Sequence, residues 1–140
     1  MGQQSLIVLD TSAIFTLLNR KDPEHILARS AVESDRGPYV VPAGILAEVT
    51  YLVEDRLGGH VLDALLSDLE TGGLAFDCGE GDWQRIRQLV SRYANLPLGA
   101  ADASVIACAE RTGAPVLTLD RRDFGIVARE GRIRLLPEPA

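Results

Sequence analysis

Five short aliphatic runs, each separated from the next by a stretch long enough to carry the chain back to its starting edge, constrain this sequence more than any other feature. They lie at residues 6–9, 39–41, 74–76, 116–119 and 133–136. The first, Leu6, Ile7, Val8 and Leu9, shows no polar alternation, the mark of a strand buried on both faces. Between the runs the apolar spacing turns helical, at 13–18, 22–35, 43–56, 61–69, 83–93, 102–112 and a short turn at 124–128. Residues 43–56 place Ile45, Leu46, Val49, Leu52 and Val53 on one side; residues 61–69 turn Leu62, Leu65, Leu66 and Leu69 inward; residues 83–93 do the same with Ile86, Leu89 and Val90. Asp22-Pro23-Glu24 reads as a helix start, while Gly37-Pro38, Gly58-Gly59, Gly72-Gly73 and Gly113 read as stops. Strands that alternate with helices need crossovers, which predicts a mainly parallel sheet of about four to five strands with helices on both faces, a three-layer α/β/α fold.

The 140 residues suffice for one domain spanning 1–140 with its own core, ending in a loose tail at 137–140. Hydrophobic residues make up 46% of the chain and mean hydropathy is +0.08, a globular balance. No apolar run reaches the length of a membrane span, and the N-terminus lacks a basic segment followed by a long apolar stretch, so the expected setting is cytoplasmic with no membrane attachment. Two cysteines, Cys78 and Cys108, are too few for a disulfide framework and lack metal-site spacing; Cys108 falls in an apolar helix as a small hydrophobe. The net charge of −6 argues at first against a polyanionic partner. Bound dications would offset part of it locally. Lys21 is the only lysine, so 13 of the 14 basic residues are arginines, suited to bidentate phosphate contact, although a compositional bias gives the same skew.

Ligand sites in parallel α/β sheets lie beyond the carboxyl ends of the strands. Asp10 and Asp120 each follow a predicted strand, Asp102 opens the central helix, and Glu48 sits three residues after Ile45 and four before Leu52, within or beside an apolar stripe. Taken singly, each has an ordinary explanation: a helix or turn cap for Asp10 and Asp120, a first-turn aspartate for Asp102, and for Glu48 a stripe-edge acid reaching solvent or an arginine. Taken together they do not. Carboxylates about 4 Å apart repel by roughly 4 kcal/mol at an effective dielectric near 20, so four converging acids require protons or cations between them. Oxygen-only ligands suit Mg²⁺ or Mn²⁺, and no His/Cys cluster favours Zn²⁺. Spacing alone places only the strand-terminal pair.

Asp10-Thr11-Ser12 after a strand, Glu48 within Ala-Glu-Val-Thr-Tyr, Leu98-Gly99-Ala100-Ala101-Asp102-Ala103 and Thr118-Leu119-Asp120 resemble the PIN-domain nucleases, most closely the VapC-type toxins of toxin–antitoxin pairs; Asp120-Arg121-Arg122-Asp123-Phe124 is also typical of that group. The resemblance spans nearly the whole chain. It implies a PIN-like fold, Asp10, Glu48, Asp102 and Asp120 as a catalytic, metal-binding quartet, Mg²⁺ or Mn²⁺ as cofactor, RNA as substrate, a homodimer, and a VapB-type antitoxin protein that blocks the site. Asp10 and Asp102 are expected as the most direct ligands, with Glu48 and Asp120 reaching metal directly or through water. Thr11, Ser12 and Thr118 are candidates to orient these carboxylates, as hydroxyls around a metal site do, or else are ordinary capping and strand hydroxyls. Within this reading a housekeeping RNA-processing nuclease, or a non-catalytic PIN-like adaptor, is the alternative to a toxin.

Other acidic-site classes fit less well. A haloacid-type phosphatase needs an aspartate two positions after its nucleophile, where Ser12 stands, and a receiver domain needs a lysine late in the chain. Asp123 reads as a solvated turn residue at the rim of the site, and Arg121 and Arg122 as surface arginines. His25 and His60, without ligand-spaced partners, are assigned to the surface. Trp83, Tyr93, Phe15 and Phe76 are expected in the core or on a dimer face.

Overall fold

The computed structural model of the chain describes residues 6–34, 37–96 and 98–137. Among them β1 (Ile7–Leu9) is followed by α1 (Thr11–Leu18) and α2 (His25–Ser34), and β2 (Tyr39–Pro42) by a 3-10 turn (Ala43–Ile45), α3 (Leu46–Leu57) and α4 (Gly59–Thr71). Then come β3 (Ala75–Asp77), α5 (Trp83–Arg92), α6 (Ala100–Thr112), β4 (Val116–Leu117), α7 (Arg121–Arg129) and β5 (Leu135–Leu136). The strands form a five-stranded sheet in the order β3-β2-β1-β4-β5, every pair parallel. Right-handed crossovers then put the helices between β1 and β3 on one face and those between β3 and β5 on the other, giving the three-layer α/β/α fold expected from the sequence. Accordingly α1 packs on α2 and α3, and α3 on α4, while α5 packs on α6 across the sheet.

The order of strands fixes where a site can form. The chain steps outward from β1 to β3, then crosses back to β4, so its topological switch point lies between β1 and β4, where a crevice opens at the strands' carboxyl ends. β1 is the central strand, and its three residues are at most 2% exposed, as an uninterrupted aliphatic run demands. The register pairs Leu9 with Leu117, so one step further Asp10 stands opposite Thr118. The helix behind this crevice is α6, whose residues from Ala103 to Ala109 are all buried; alanine, serine and cysteine side chains let it lie close against β1, β2 and β4. Gly113, at φ 72°, ends it in the left-handed conformation that glycine tolerates best.

Several boundaries differ from expectation. α2 begins at His25, because Asp22 accepts the Glu24 N–H (2.8 Å) in a turn of its own before the helix starts; its expected end at residue 35 lies outside the described residues. α6 opens two residues before Asp102, which therefore sits in its first turn. β4 is only two residues long, although the Thr118 N–H still donates to the Leu136 carbonyl (3.0 Å) beyond its end. Trp83 and Phe76 are not core residues: they are 69% and 46% exposed, Trp83 at the first position of α5 and Phe76 on the edge strand β3. Leu66, expected inward, is also exposed, because α4 is covered along one narrow line centred on Leu65. Tyr93 is in the core, its hydroxyl donating to Glu130 (2.6 Å) and accepting from Arg132 Nε (2.9 Å). His25 is half-buried against the Thr16 carbonyl, with Nδ1 at 2.9 Å, and so is not a free surface side chain. Of the expected tail, residues 138–140 lie outside the described residues.

Candidate functional site

Asp10 leaves β1 at the switch point in extended conformation and caps α1. Its Oδ1 accepts the Ala13 N–H and the Ser12 hydroxyl, both at 2.8 Å, and its Oδ2 accepts the Thr118 hydroxyl at 2.5 Å. Three donors thus hold a carboxylate that is only 4% exposed. Burial pushes its pKa above the ordinary carboxylate value and the nearby Asp120 adds to that, while the three hydrogen bonds pull it back.

The same hydroxyls tie the β1 loop to the β4 loop. Ser12 Oγ accepts the Leu119 N–H (3.0 Å), and Thr118 Oγ1, itself fully buried, accepts the Asp120 N–H (3.0 Å). Segments more than a hundred residues apart in sequence are therefore locked together around Asp10. Ser12 and Thr118, both considered as hydroxyls that orient a carboxylate, thus each donate to Asp10. Thr11 does a related job on the other flank, donating to Glu48 Oε1 at 2.5 Å and so linking α1 to α3. Glu48 lies in the first turn of α3 but is exposed, beside rather than within the buried line formed by Val49 and Val53.

The charges of the other acids are felt at Asp102. It is half-buried in the first turn of α6, and among the described residues its carboxylate has neither a hydrogen-bond donor nor an ion-pair partner. Its pKa is pushed up to about 6, first by burial and then by the negative charges of Asp10, Glu48, Asp120 and Asp123. Four carboxylates borne by the β1 end, α3, the start of α7 and its first turn thus act on a fifth in α6. Asp120 stands exposed at the N-terminus of α7 with no capping bond from its side chain, which leaves the carboxylate free of a structural task. Asp123 belongs to this cluster electrostatically. Its contact with Arg122 is long (3.9 Å) and the arginine side chain is 87% exposed, so that pair offsets little charge.

The donor set matches a hard divalent cation: carboxylate and hydroxyl oxygens only, an excess of negative charge, and no lysine or arginine paired with Asp10, Glu48, Asp102 or Asp120 among the described residues. The acids share one rim without closing on one another, and among the described residues no three acidic, histidine or cysteine side chains are gathered tightly enough to enclose an ion.

A second polar cluster escaped the sequence reading. Arg111, near the end of α6, donates from Nε to Asp82 Oδ1 (2.9 Å) and from Nη2 to Asp82 Oδ2 (3.0 Å) and Asp77 Oδ2 (2.5 Å). Cys108, buried as expected, also lies 2.9 Å from Asp77 Oδ2 as a thiol donor; burial and that hydrogen bond push its pKa up to about 12. Asp77 ends β3 and Asp82 precedes α5, so Arg111 ties three elements together. Only their position relative to a folded sheet reveals the connection; nothing in their spacing marks it.

A sequence model of the PIN domain matches residues 7–130. Ribonuclease VapC26 of Mycobacterium tuberculosis is 30% identical over 135 residues, covering 94% of this chain and all of the relative. Among solved structures, VapC20 of M. tuberculosis, a Sarcin-Ricin loop cleaving toxin, superposes with a TM-score of 0.75 at 20% identity, covering 86% of this chain and 94% of that one. VapBC2 from Rickettsia felis, solved bound to a DNA fragment from its promoter, superposes at 0.67 with 15% identity over 93% of this chain and 96% of that one.

Proposed function

The chain belongs to the PIN-domain family, and from that premise we propose that it is a divalent-metal-dependent endoribonuclease acting as the toxin of a VapC-type toxin–antitoxin pair. The observation that carries the chemistry is the convergence of negative charge on Asp102 at the β1–β4 switch point with no basic side chain to balance it. On this reading Asp10 and Asp102 are the principal holders of Mg²⁺ or Mn²⁺, and Glu48 and Asp120 reach the ion directly or through water. Held by these carboxylates, Mg²⁺ or Mn²⁺ would supply positive charge beside a phosphodiester oxygen and would lower the pKa of a water next to it.

The chain's own residues do the rest. Ser12, Thr118 and the Ala13 N–H fix the orientation of the Asp10 carboxylate, about which the other acids would gather. Thr11 holds Glu48 by Oε1, and Glu48 Oε2, which it leaves free, takes the proton from the attacking water. The water oxygen then bonds to phosphorus as the bond to the leaving ribose oxygen breaks, and that oxygen is protonated from solvent. Toxin identity is supported by the near full-length likeness to a VapC ribonuclease and by the fold shared with chains solved as VapBC. A VapB-type antitoxin that covers the acidic rim, a homodimer and a cytoplasmic location belong to the same proposal; among the described residues no helix is long and apolar enough to cross a membrane.

Purified protein is expected to cleave RNA with Mn²⁺ or Mg²⁺, to stop on chelation, and to lose activity in Asp10→Asn while keeping its fold. Full activity in that variant would overturn the assignment. Expression of the chain alone is expected to arrest growth, relieved by a co-encoded antitoxin; no arrest and no such partner would leave an RNA-processing nuclease instead.

A further inference from the structure

A cavity of about 320 Å³ opens beside the acidic rim, walled by Pro42, Ala43 and Gly44 on one side, Ala100, Ala101 and Ser104 on another, with Trp83 and Ile86 across from them. None of the four acids lines it, but two of the segments that do lead into them. Ala100 and Ala101 immediately precede Asp102 on α6, and the 3-10 turn leads directly into α3 and Glu48. We propose that this cavity is a nucleobase pocket, receiving the base of the unpaired nucleotide next to the scissile phosphate, with Trp83 as its stacking face. The proposal rests on the nuclease reading and names where its substrate is gripped.

Four features favour a flat, neutral guest. The volume is at the small end of ligand pockets, which run roughly 300–1,000 Å³. The wall is rigid: a Cβ on Gly44 would lie 2.1 Å from Ser104 Oγ, so the turn and α6 are packed as tightly as glycine permits and the cavity is preformed. At its mouth Trp83 is 69% exposed, a large indole face that the fold does not cover and on which any base can stack. Within it, Arg111 is matched by two carboxylates, Asp77 and Asp82, so no positive charge is in excess to attract a phosphate. Arg111 Nη1 has no acceptor among the described residues and remains available to a base oxygen or ring nitrogen. An unpaired, splayed-out base, stacked and hydrogen-bonded along its edge, is what RNA offers such a site.

Trp83 is the only tryptophan, so its emission reports on the pocket directly. Short homopolymeric oligoribonucleotides, mixed rapidly with protein in Mn²⁺ buffer and read before turnover, are expected to quench it, and an abasic oligonucleotide is expected not to. Trp83→Ala, at an exposed position, is expected to raise KM about tenfold with a much smaller change in kcat, and Trp83→Phe to restore most of the loss. RNA is also expected to protect the exposed Cys78 thiol, in the same cavity, from alkylation, while buried Cys108 stays unreactive in either case. RNA that is cleaved while Trp83 emission stays unchanged would overturn the pocket and leave the nuclease standing. Emission that follows protein concentration instead of RNA would assign this face to a second copy of the chain and also overturn it. Should no RNA be cleaved, the nuclease reading fails, and the emission titration still decides the pocket: base-dependent quenching supports it and its absence refutes it.

Discussion

Replacing Asp102 with asparagine should stabilise the metal-free protein, the reverse of what removing a polar partner from a folded protein usually does. Its carboxyl is raised from 3.8 to about 6 by burial and by Asp10, Glu48, Asp120 and Asp123. A shift of that size corresponds to at most about 3 kcal/mol, and for a half-exposed rim partly screened by water about 1–2 kcal/mol is the realistic part. Because the folded pKa lies above the unfolded one, the folded state binds the proton first as pH falls. The penalty is therefore fully developed above about pH 6, shrinks between 6 and 3.8, and is absent below that. Thermal unfolding in EDTA at neutral pH should show Asp102→Asn melting higher than wild type by about 3–6 °C, with the two curves merging near pH 4. Excess Mn²⁺ should reverse the order, since only wild type gains the binding free energy in full. A variant less stable than wild type in EDTA at neutral pH would show that Asp102 has a stabilising partner, and the repulsion reasoning would be wrong.

Thr118→Val keeps the shape but strips Asp10 Oδ2 and the Asp120 N–H of their partner; a loss of about 1–3 kcal/mol in denaturant unfolding is expected, with RNA cleavage falling more than stability. Arg111→Ala leaves two carboxylates facing each other across β3 and α5, and should cost about 2 kcal/mol given the partial exposure of the arginine, measured by urea titration. Gly44→Ala should destabilise by about 1–3 kcal/mol through the clash with Ser104, and Ser104→Gly in the same chain should recover most of it, as a double-mutant cycle would show.

The fold was legible because its parallel sheet buries strands on both faces and therefore writes them as unbroken aliphatic runs such as Ile7, Val8 and Leu9. The expectation for Asp10 and Asp120 came from the same logic, since strand ends in such sheets point to the site. Glu48 and Asp102 were placed by helical periodicity only as far as their helices. That α6 and α3 turn those acids towards the β1–β4 crevice depends on the crossing of two helices over a sheet, which no local spacing encodes. For the same reason the Arg111 cluster was invisible: its partners come from three elements, and its existence depends on how α6 lies against the ends of β3 and α5. Of the two places expected for Trp83, the core is excluded: an aromatic beside an apolar stripe normally packs, whereas here it stands at the first position of α5, outside the stripe that Leu89 buries. Its exposure beside a preformed cavity is the clearest departure from a purely structural use of the sequence.

The acids around Asp102 are expected to hold a divalent cation and not to lie together by an accident of packing. Anomalous diffraction from crystals soaked in Mn²⁺ tests it most directly. A manganese peak within coordination distance of Asp10 and Asp102, absent in Asp10→Asn, is the predicted result. Manganese found only elsewhere, with the Asp102 carboxylate protonated or turned to an arginine, would contradict it.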